Sequence, residues 1–186
     1  MLNTTHKKHD GFTLTEILIT LSIISILLSI AAPSFSSLIT EIKITTQSNE
    51  LLSMLILTRS EAIKRNQRVT MCKSANNLTC TNEGNWDQGW IIFTDNPPIG
   101  ETDENDVILR THATLTGNNS IIGNQNVRNY ISYTPNGRST LANNALQGGT
   151  LYICNADNLA KGKKITLSLR SSKIQLSKIT QSSDCT

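Results

Sequence analysis

The chain has 186 residues and a formal charge of +3, enough for one ordinary domain with an added segment and too little for two full-sized domains. Its charge is unevenly spread. Seven acidic residues and no Lys or Arg lie between Glu83 and Asp106, whereas eight basic residues and the single acid Asp157 lie between Arg128 and Lys178. Such asymmetry suits a polyanion or the orientation of neighbouring molecules; solvated loops and strand edges are its plainer reading.

Residues 1–11, MLNTTHKKHDG, form a short polar leader with Lys7 and Lys8. FTLTEILITLSIISILLSIAAP follows, with no charge from Ile17 to Ala32. As a helix, Phe12 to Ala32 would extend about 31 Å, the thickness of a bilayer core. A secretory signal cut near Ser29-Ile30-Ala31 fits the basic start, but its apolar stretch would be long and Glu16 would sit inside it. A plain membrane anchor also leaves Glu16 unexplained, because a carboxylate in a membrane segment is costly and needs a partner.

The motif GFTLTE resembles the cleavage site of type IV prepilins and type II secretion pseudopilins. The resemblance implies that a prepilin peptidase cuts between Gly11 and Phe12 and methylates the new amine of Phe12. Glu16 becomes the fifth residue of the mature chain, where it pairs with the Phe12 amine of a neighbouring subunit and offsets the cost of burying either charge alone. Pro33 falls where this family often carries a proline. The domains expected are a leader over 1–11, a transmembrane and assembly helix over 12–33, an amphipathic continuation over 34–68 and a periplasmic β-sheet domain over 69–186.

Beyond Pro33 the helical pattern resumes: Phe35, Leu38 and Ile42 share a face, and Leu52, Leu55, Ile56 and Ile63 share a later one. The polar stretch Lys43–Glu50 weakens the helix there. One helix from Phe12 to about Arg68 is expected, with a kink at Pro33. From Val69 the pattern changes to short β-prone runs: 69–72, 90–93, 107–109, 130–133, 151–154, 165–169 and 174–179. Ile165, Leu167 and Leu169 alternate with polar residues, and Ser171-Ser172 reads as a hairpin turn. Thr116–Asn126 and Asn143–Gly149 read as Asn- and Gly-rich connections.

Four cysteines imply an oxidising compartment and allow three pairings, among which sequence does not choose. Cys72–Cys80 and Cys154–Cys185 are preferred, because the first two are close along the chain and the second pair anchors a terminus. Zinc is the rival, without C-x-x-C and with His112 the one imidazole beyond the first nine residues. No cofactor and no metal is expected.

The soluble half resembles the GspH/FimT group of minor pilins and pseudopilins. Leu57–Asn66 looks like the group's helix end, Trp86–Asp95 like its Gly-Trp strand, and Tyr133–Arg138 like its Pro-x-Gly-Arg turn leading into Leu151–Cys154. The resemblance implies an α+β, type IV pilin-like fold: a long N-terminal helix, membrane-embedded in its first half, packed on a C-terminal antiparallel β-sheet domain. It implies a filament subunit near the tip, in a type IV pilus or a type II secretion pseudopilus, with the four cysteines favouring the pilus. The implied partners are other pilins, the prepilin peptidase, an inner-membrane assembly platform and membrane lipid. The implied location is a single pass through a bacterial inner membrane, with the domain in the periplasm or outside the cell in an assembled pilus. Some FimT-like pilins bind DNA through a Gly-Arg-x-Arg motif; the aligned place here reads Ser172-Lys173-Ile174-Gln175. Arg138, Lys161, Lys163, Lys164, Arg170 and Lys173 remain candidate phosphate contacts. No P-loop, H-E-x-x-H or G-x-S-x-G is present, so the chain is not read as an enzyme.

Overall fold

The computed structural model describes residues 11–155, 162–180 and 185. Residues 1–10 of the expected leader, and Lys161 among the candidate phosphate contacts, lie outside them. The chain divides into two compact units, residues 1–40 and 41–186. A 52-residue helix, α1 (Leu14–Arg65), contributes to both.

In the first unit α1 is apolar all round. Leu18, Ile19, Leu21, Ile26, Leu27 and Ile30 are all exposed, and no charged residue occurs between Ile17 and Thr40. A water-facing helix would place polar residues on one side. This segment is long and apolar enough to cross a membrane by length and composition. Pro33 lies within α1, where it removes one backbone donor.

In the second unit α1 buries one stripe: Ile44, Ser48, Leu51, Leu55, Thr58 and Ala62. The steps of three and four residues keep these side chains on one helical face. The stripe differs from the face read in the sequence. Leu55 is buried, but Ile56 and Ile63 are 54% and 52% exposed, since they lie about 100° round the helix from the buried stripe. The polar stretch Lys43–Glu50 is fully helical, and its Ile44, Gln47 and Ser48 are buried.

Two four-stranded antiparallel sheets close on this stripe. The strands are β1 (Val69–Lys73), β2 (Trp90–Thr94), β3 (Ile108–His112), β4 (Asn119–Gly123), β5 (Tyr130–Tyr133), β6 (Gly149–Asn155), β7 (Lys163–Leu167) and β8 (Ile174–Lys178). The first sheet has the order β3-β2-β1-β5 and the second β4-β6-β7-β8. Successive residues of a strand face opposite ways, so each sheet sends alternate side chains into one shared core. The first contributes Met71, Ile92, Ile131 and Tyr133, and the second Ile121, Leu151, Ile153, Ile165 and Leu167. Trp86, in a 3-10 turn over Trp86–Gln88, joins them, and its Nε1 donates to Val127 O at 3.0 Å.

Strand β4 occupies a segment read as a connection. Its Asn119 is buried because a relay of side-chain amides satisfies it: Asn119 Nδ2 donates to Gln47 Oε1 at 2.6 Å, and Asn155 Nδ2 donates to Asn119 Oδ1 at 2.7 Å. A buried amide is tolerated only when paired in this way. At the other end of the sheet, β7 stops at Leu167 and Leu169 is exposed, because the chain turns back where Ser168 N donates to Lys173 O and Ser172 N to Ser168 O.

Two neighbouring positions of α1, one buried and one exposed, test this packing. Leu55→Ala should lower unfolding stability by about 2–5 kcal/mol, and Ile56→Ala by less than about 0.5 kcal/mol. Denaturant titration of the two variants measures both. Equal losses would mean the helix is rotated from the orientation described.

Candidate functional site

Thr13 and Glu16 form a reciprocal cap at the head of α1. Glu16 N donates to Thr13 Oγ1 at 3.3 Å, and Thr13 N donates to Glu16 Oε2 at 2.9 Å. Thr13 Oγ1 also donates to Glu16 Oε2 at 2.8 Å. Thr-x-x-Glu at a helix start is a capping box, which satisfies backbone donors the first turn leaves free. The sequence reading assigned Glu16 a partner in another subunit and overlooked this local one, although TLTE carries the signature. Phe12 and Gly11 precede the helix, both exposed, and nothing lies within 4 Å of where a Gly11 side chain would be. The peptide bond between them is sterically open.

Hydroxyls along the charge-free segment turn back onto their own helix. Thr20 donates to Ile17 O, Ser22 to Leu18 O, Ser25 to Ser22 O and Ser29 to Ile26 O, at 2.7–2.9 Å. These donors make no demand on their surroundings, which suits an apolar medium.

Both disulfides lie on outer faces of the sheets. Cys72–Cys80 spans a Cα–Cα distance of 5.6 Å and packs with Ile91, Phe93 and Tyr130 on the first sheet. Cys154–Cys185 spans 5.8 Å and packs with Tyr152 and Ile179 on the second. Beside the first, Lys73 is fully buried and its Nζ donates to Gly84 O at 2.8 Å and Asn82 O at 3.3 Å. Burial, and then Arg128 nearby, hold its ammonium below the usual lysine range.

At the C-terminal end of α1 a groove of 610 Å³ opens between Arg68, Asp95, Pro97, Pro135 and Asn144. The Arg68 guanidinium donates to Ser132 Oγ, Thr140 Oγ1 and Asn144 Oδ1 at 2.9–3.1 Å. Asp95 accepts from Thr70 Oγ1 and from Gly100 N. Burial pushes its carboxyl up to about 6, against these hydrogen bonds. A second polar cluster ties α1 to β3: His112 Nε2 lies 2.9 Å from Glu50 Oε1, and the imidazole stacks on Trp90 at 4.0 Å. Among the described residues no three His, Cys, Asp or Glu side chains group closely enough to hold a metal ion.

The candidate phosphate contacts fall into two groups. Lys163 and Lys164 adjoin each other on β7, so their side chains leave opposite faces of the sheet. Arg170 and Lys173 lie past the far end of β7, in or beside its turn to β8, next to the turn bearing Arg138; Ser139 N donates to Ser172 Oγ at 2.9 Å between the two turns. Arg59, near the C-terminal end of α1, joins this second group. Its Nη1 lies 3.4 Å from Ser172 O, and its Nε would come within 3.2 Å of a side chain at Gly137. Gly137 itself has φ +73° and is buried against Ile63, so a turn this close to the helix requires glycine.

The family model described as type II transport protein GspH matches residues 47–172, and that of the prokaryotic N-terminal methylation motif matches residues 6–32. Among solved structures, the type IV minor pilin FimU of Pseudomonas aeruginosa is similar, at 20% identity, with 75% of this chain and 90% of that chain covered and a TM-score of 0.56. The minor pseudopilin EpsH from the type 2 secretion system of Vibrio cholerae is similar at 11% identity, covering 75% of this chain and 99% of that one, with a TM-score of 0.51. At these identities the likeness establishes the α+β, type IV pilin-like fold. No curated protein sequence matches the chain.

The Asp95 carboxyl generates a pH dependence. Its folded value of about 6 lies above the ordinary 3.8, so the fold favours the neutral acid. The stability this confers is complete below pH 3.8 and is lost as pH rises through about 6, roughly 3 kcal/mol in all. Asp95→Asn should therefore gain stability relative to the parent chain between pH 4 and pH 7, read as the difference of two melting curves. Parallel pH profiles would refute the buried-carboxyl assignment.

Proposed function

The chain belongs to the family described as type II transport protein GspH, and from that membership we propose that it is a structural subunit, a minor pilin or pseudopilin, of a type IV pilus or type II secretion pseudopilus. Prepilin peptidase cuts between Gly11 and Phe12 and methylates the Phe12 amine. The first half of α1, with residues 12–33 as its embedded part, anchors the subunit in the inner membrane, and the amphipathic continuation to residue 68 carries the periplasmic domain, residues 69–186. An inner-membrane platform then extracts it into a filament beside other pilins, near the tip, with Pro33 easing the passage of the helix between neighbours.

One observation carries this reading. A single carboxylate, Glu16, stands at the head of a helical segment that is otherwise charge-free to Thr40 and whose hydroxyls largely turn back onto its own carbonyls. In an isolated subunit the carboxylate caps its own helix. In a packed bundle it also neutralises the Phe12 amine of a neighbour, which would otherwise be buried as an unpaired charge. The cap fixes the carboxylate at the membrane face and presents it for this contact.

The pilus is favoured over the secretion pseudopilus. Two disulfides on the outer faces of the sheets suit a domain that stands outside the cell, where oxidising conditions keep the bridges closed. DNA binding is the weaker reading, because the five described candidate contacts form no continuous basic surface.

Two substitutions separate the roles of Glu16. Glu16→Gln retains a capping side chain but no charge, and Glu16→Val retains neither. Both should be processed normally, and both should enter filaments at least ~tenfold less than the parent chain, since each leaves the neighbour's amine unpaired. Immunoblotting of sheared filaments against the membrane fraction measures this. Normal incorporation of Glu16→Gln would reduce Glu16 to a helix cap.

A further inference from the structure

Arg68 lies between α1 and β1, half-buried at one side of the 610 Å³ groove. Bonds to three separate segments fix its guanidinium. Nη1 donates to Ser132 Oγ of β5 and to Thr140 Oγ1, and Nη2 donates to Asn144 Oδ1. All three acceptors are neutral. Among the described residues no carboxylate lies within ion-pair distance of Arg68; the pairs found there join Glu61 to Lys64 and Arg65, and Glu50 to His112. A cation drawn partly out of water ordinarily has a counter-charge. A guanidinium has five N–H donors, so Nε and one N–H of Nη2 are left without a partner. Free guanidinium donors held rigid in a groove are prepared for a carboxylate, whose two oxygens can meet them.

Asp95 lines the same groove but does not fill this role. It is 2% exposed, its oxygens accept from Thr70 Oγ1 and Gly100 N, and Arg68 is the weakest of the influences on its carboxyl. With Asp106 close by, it instead penalises each further negative charge in the groove. A ligand with one carboxylate suits that balance better than a chain of phosphates.

The rest of the groove suits a chain rather than an ion. Its volume falls within the roughly 300–1,000 Å³ of sites that take drug-sized ligands, more than one carboxylate occupies. Pro97, Ile99, Pro135 and Ala142 give it aliphatic walls, and no aromatic ring lines it for a sugar face to stack on. The Asn66 side chain, Gln67 Oε1 and Asn144 Nδ2 form no hydrogen bond among the described residues. They are amide donors and acceptors of the kind that pair with a peptide backbone.

We propose that this groove binds an extended peptide segment of another protein through one acidic side chain whose carboxylate sits on Arg68. All the lining residues belong to the second unit, so the inference stands apart from the filament-subunit reading and from how α1 is anchored.

An NMR titration of the full-length chain, nitrogen-labelled and held in detergent micelles, tests the proposal. It follows the Arg68 Nε–H signal, assigned through its own side-chain connectivities. The probes are a mixture of acetylated tetrapeptide amides with Asp at one position and uncharged residues elsewhere, the same mixture with Asn in place of Asp, acetate, and glucuronate. The Asp mixture should move the signal and bind at least ~tenfold more tightly than the Asn mixture or acetate. Arg68→Lys keeps the charge without the fork, and a folded variant should bind the Asp mixture on the order of tenfold more weakly. An unmoved Arg68 signal, equal binding of the Asp and Asn mixtures, or full binding by folded Arg68→Lys overturns the inference. Acetate binding as tightly as the Asp mixture overturns it in favour of a small-anion site, and tighter binding of glucuronate overturns it in favour of an acidic polysaccharide. Should Arg68→Lys not fold, the titration of the parent chain decides alone.

Discussion

The domain depends on one stripe of α1. Ile44, Leu51, Leu55 and Ala62 are each at most 1% exposed, and the inner faces of both sheets meet them. Neither sheet could be stable alone, since a four-stranded sheet must bury one face against another layer. With the helix as a shared third wall, Met71, Ile92, Ile153 and Ile165 join one core, and Trp86 fills the space between the sheets. Burial at roughly 25 cal/mol per Å² of apolar surface makes this the dominant stabilising term. On the outer faces Cys72 packs with Ile91, Phe93 and Tyr130, and Cys154 with Tyr152 and Ile179, so the two disulfides hold the short loop after β1 and the segment at Cys185 against small satellite cores.

Sharing the helix in this way also explains the polar residues inside the domain. Gln47, Asn119 and Asn155 sit where α1, β4 and β6 converge, and their amides satisfy one another in sequence. Ser139, Ser172 and Gln147 perform the same service between the turn that holds Gly137 and the turn from β7 to β8, with Ser139 Oγ donating to Gln147 O at 2.5 Å. Each such network fixes a register that apolar packing alone would leave free to slide. The resulting frame aims loops rather than cleft residues, in keeping with a part whose work is contact rather than chemistry.

Much of this was legible in the sequence. The membrane segment and the cleavage motif rest on runs of residues next to one another, and seven of the eight strands announce themselves by β-branched and aromatic runs between turn residues. The remainder depends on contacts distant in sequence. Strand β4 hid in an Asn- and Gly-rich stretch because Asn119 reads as a turn residue until Gln47 and Asn155 are seen beside it. Ile56 and Ile63 looked like core because they are apolar at a helical spacing; the stripe one position away, with Thr58 and Ala62 in it, is the buried one. The division into two sheets left no trace in local pattern, since inward-facing residues alternate alike in one sheet or two. Among the candidate site residues, Arg138, Arg170 and Lys173 come together and Lys163 and Lys164 do not. The bond between Ser139 and Ser172 that brings the turns together spans 33 residues.

The central claim is that the chain is cut ahead of Phe12 and held in a filament by the segment that follows. Mass spectrometry of the N-terminal peptide, taken from filaments sheared off intact cells, tests it most directly. The account predicts a peptide that begins at methylated Phe12 and retains Glu16 five residues in. A chain that still begins at Met1, or one cut near Ala31 and released without its apolar segment, would contradict it.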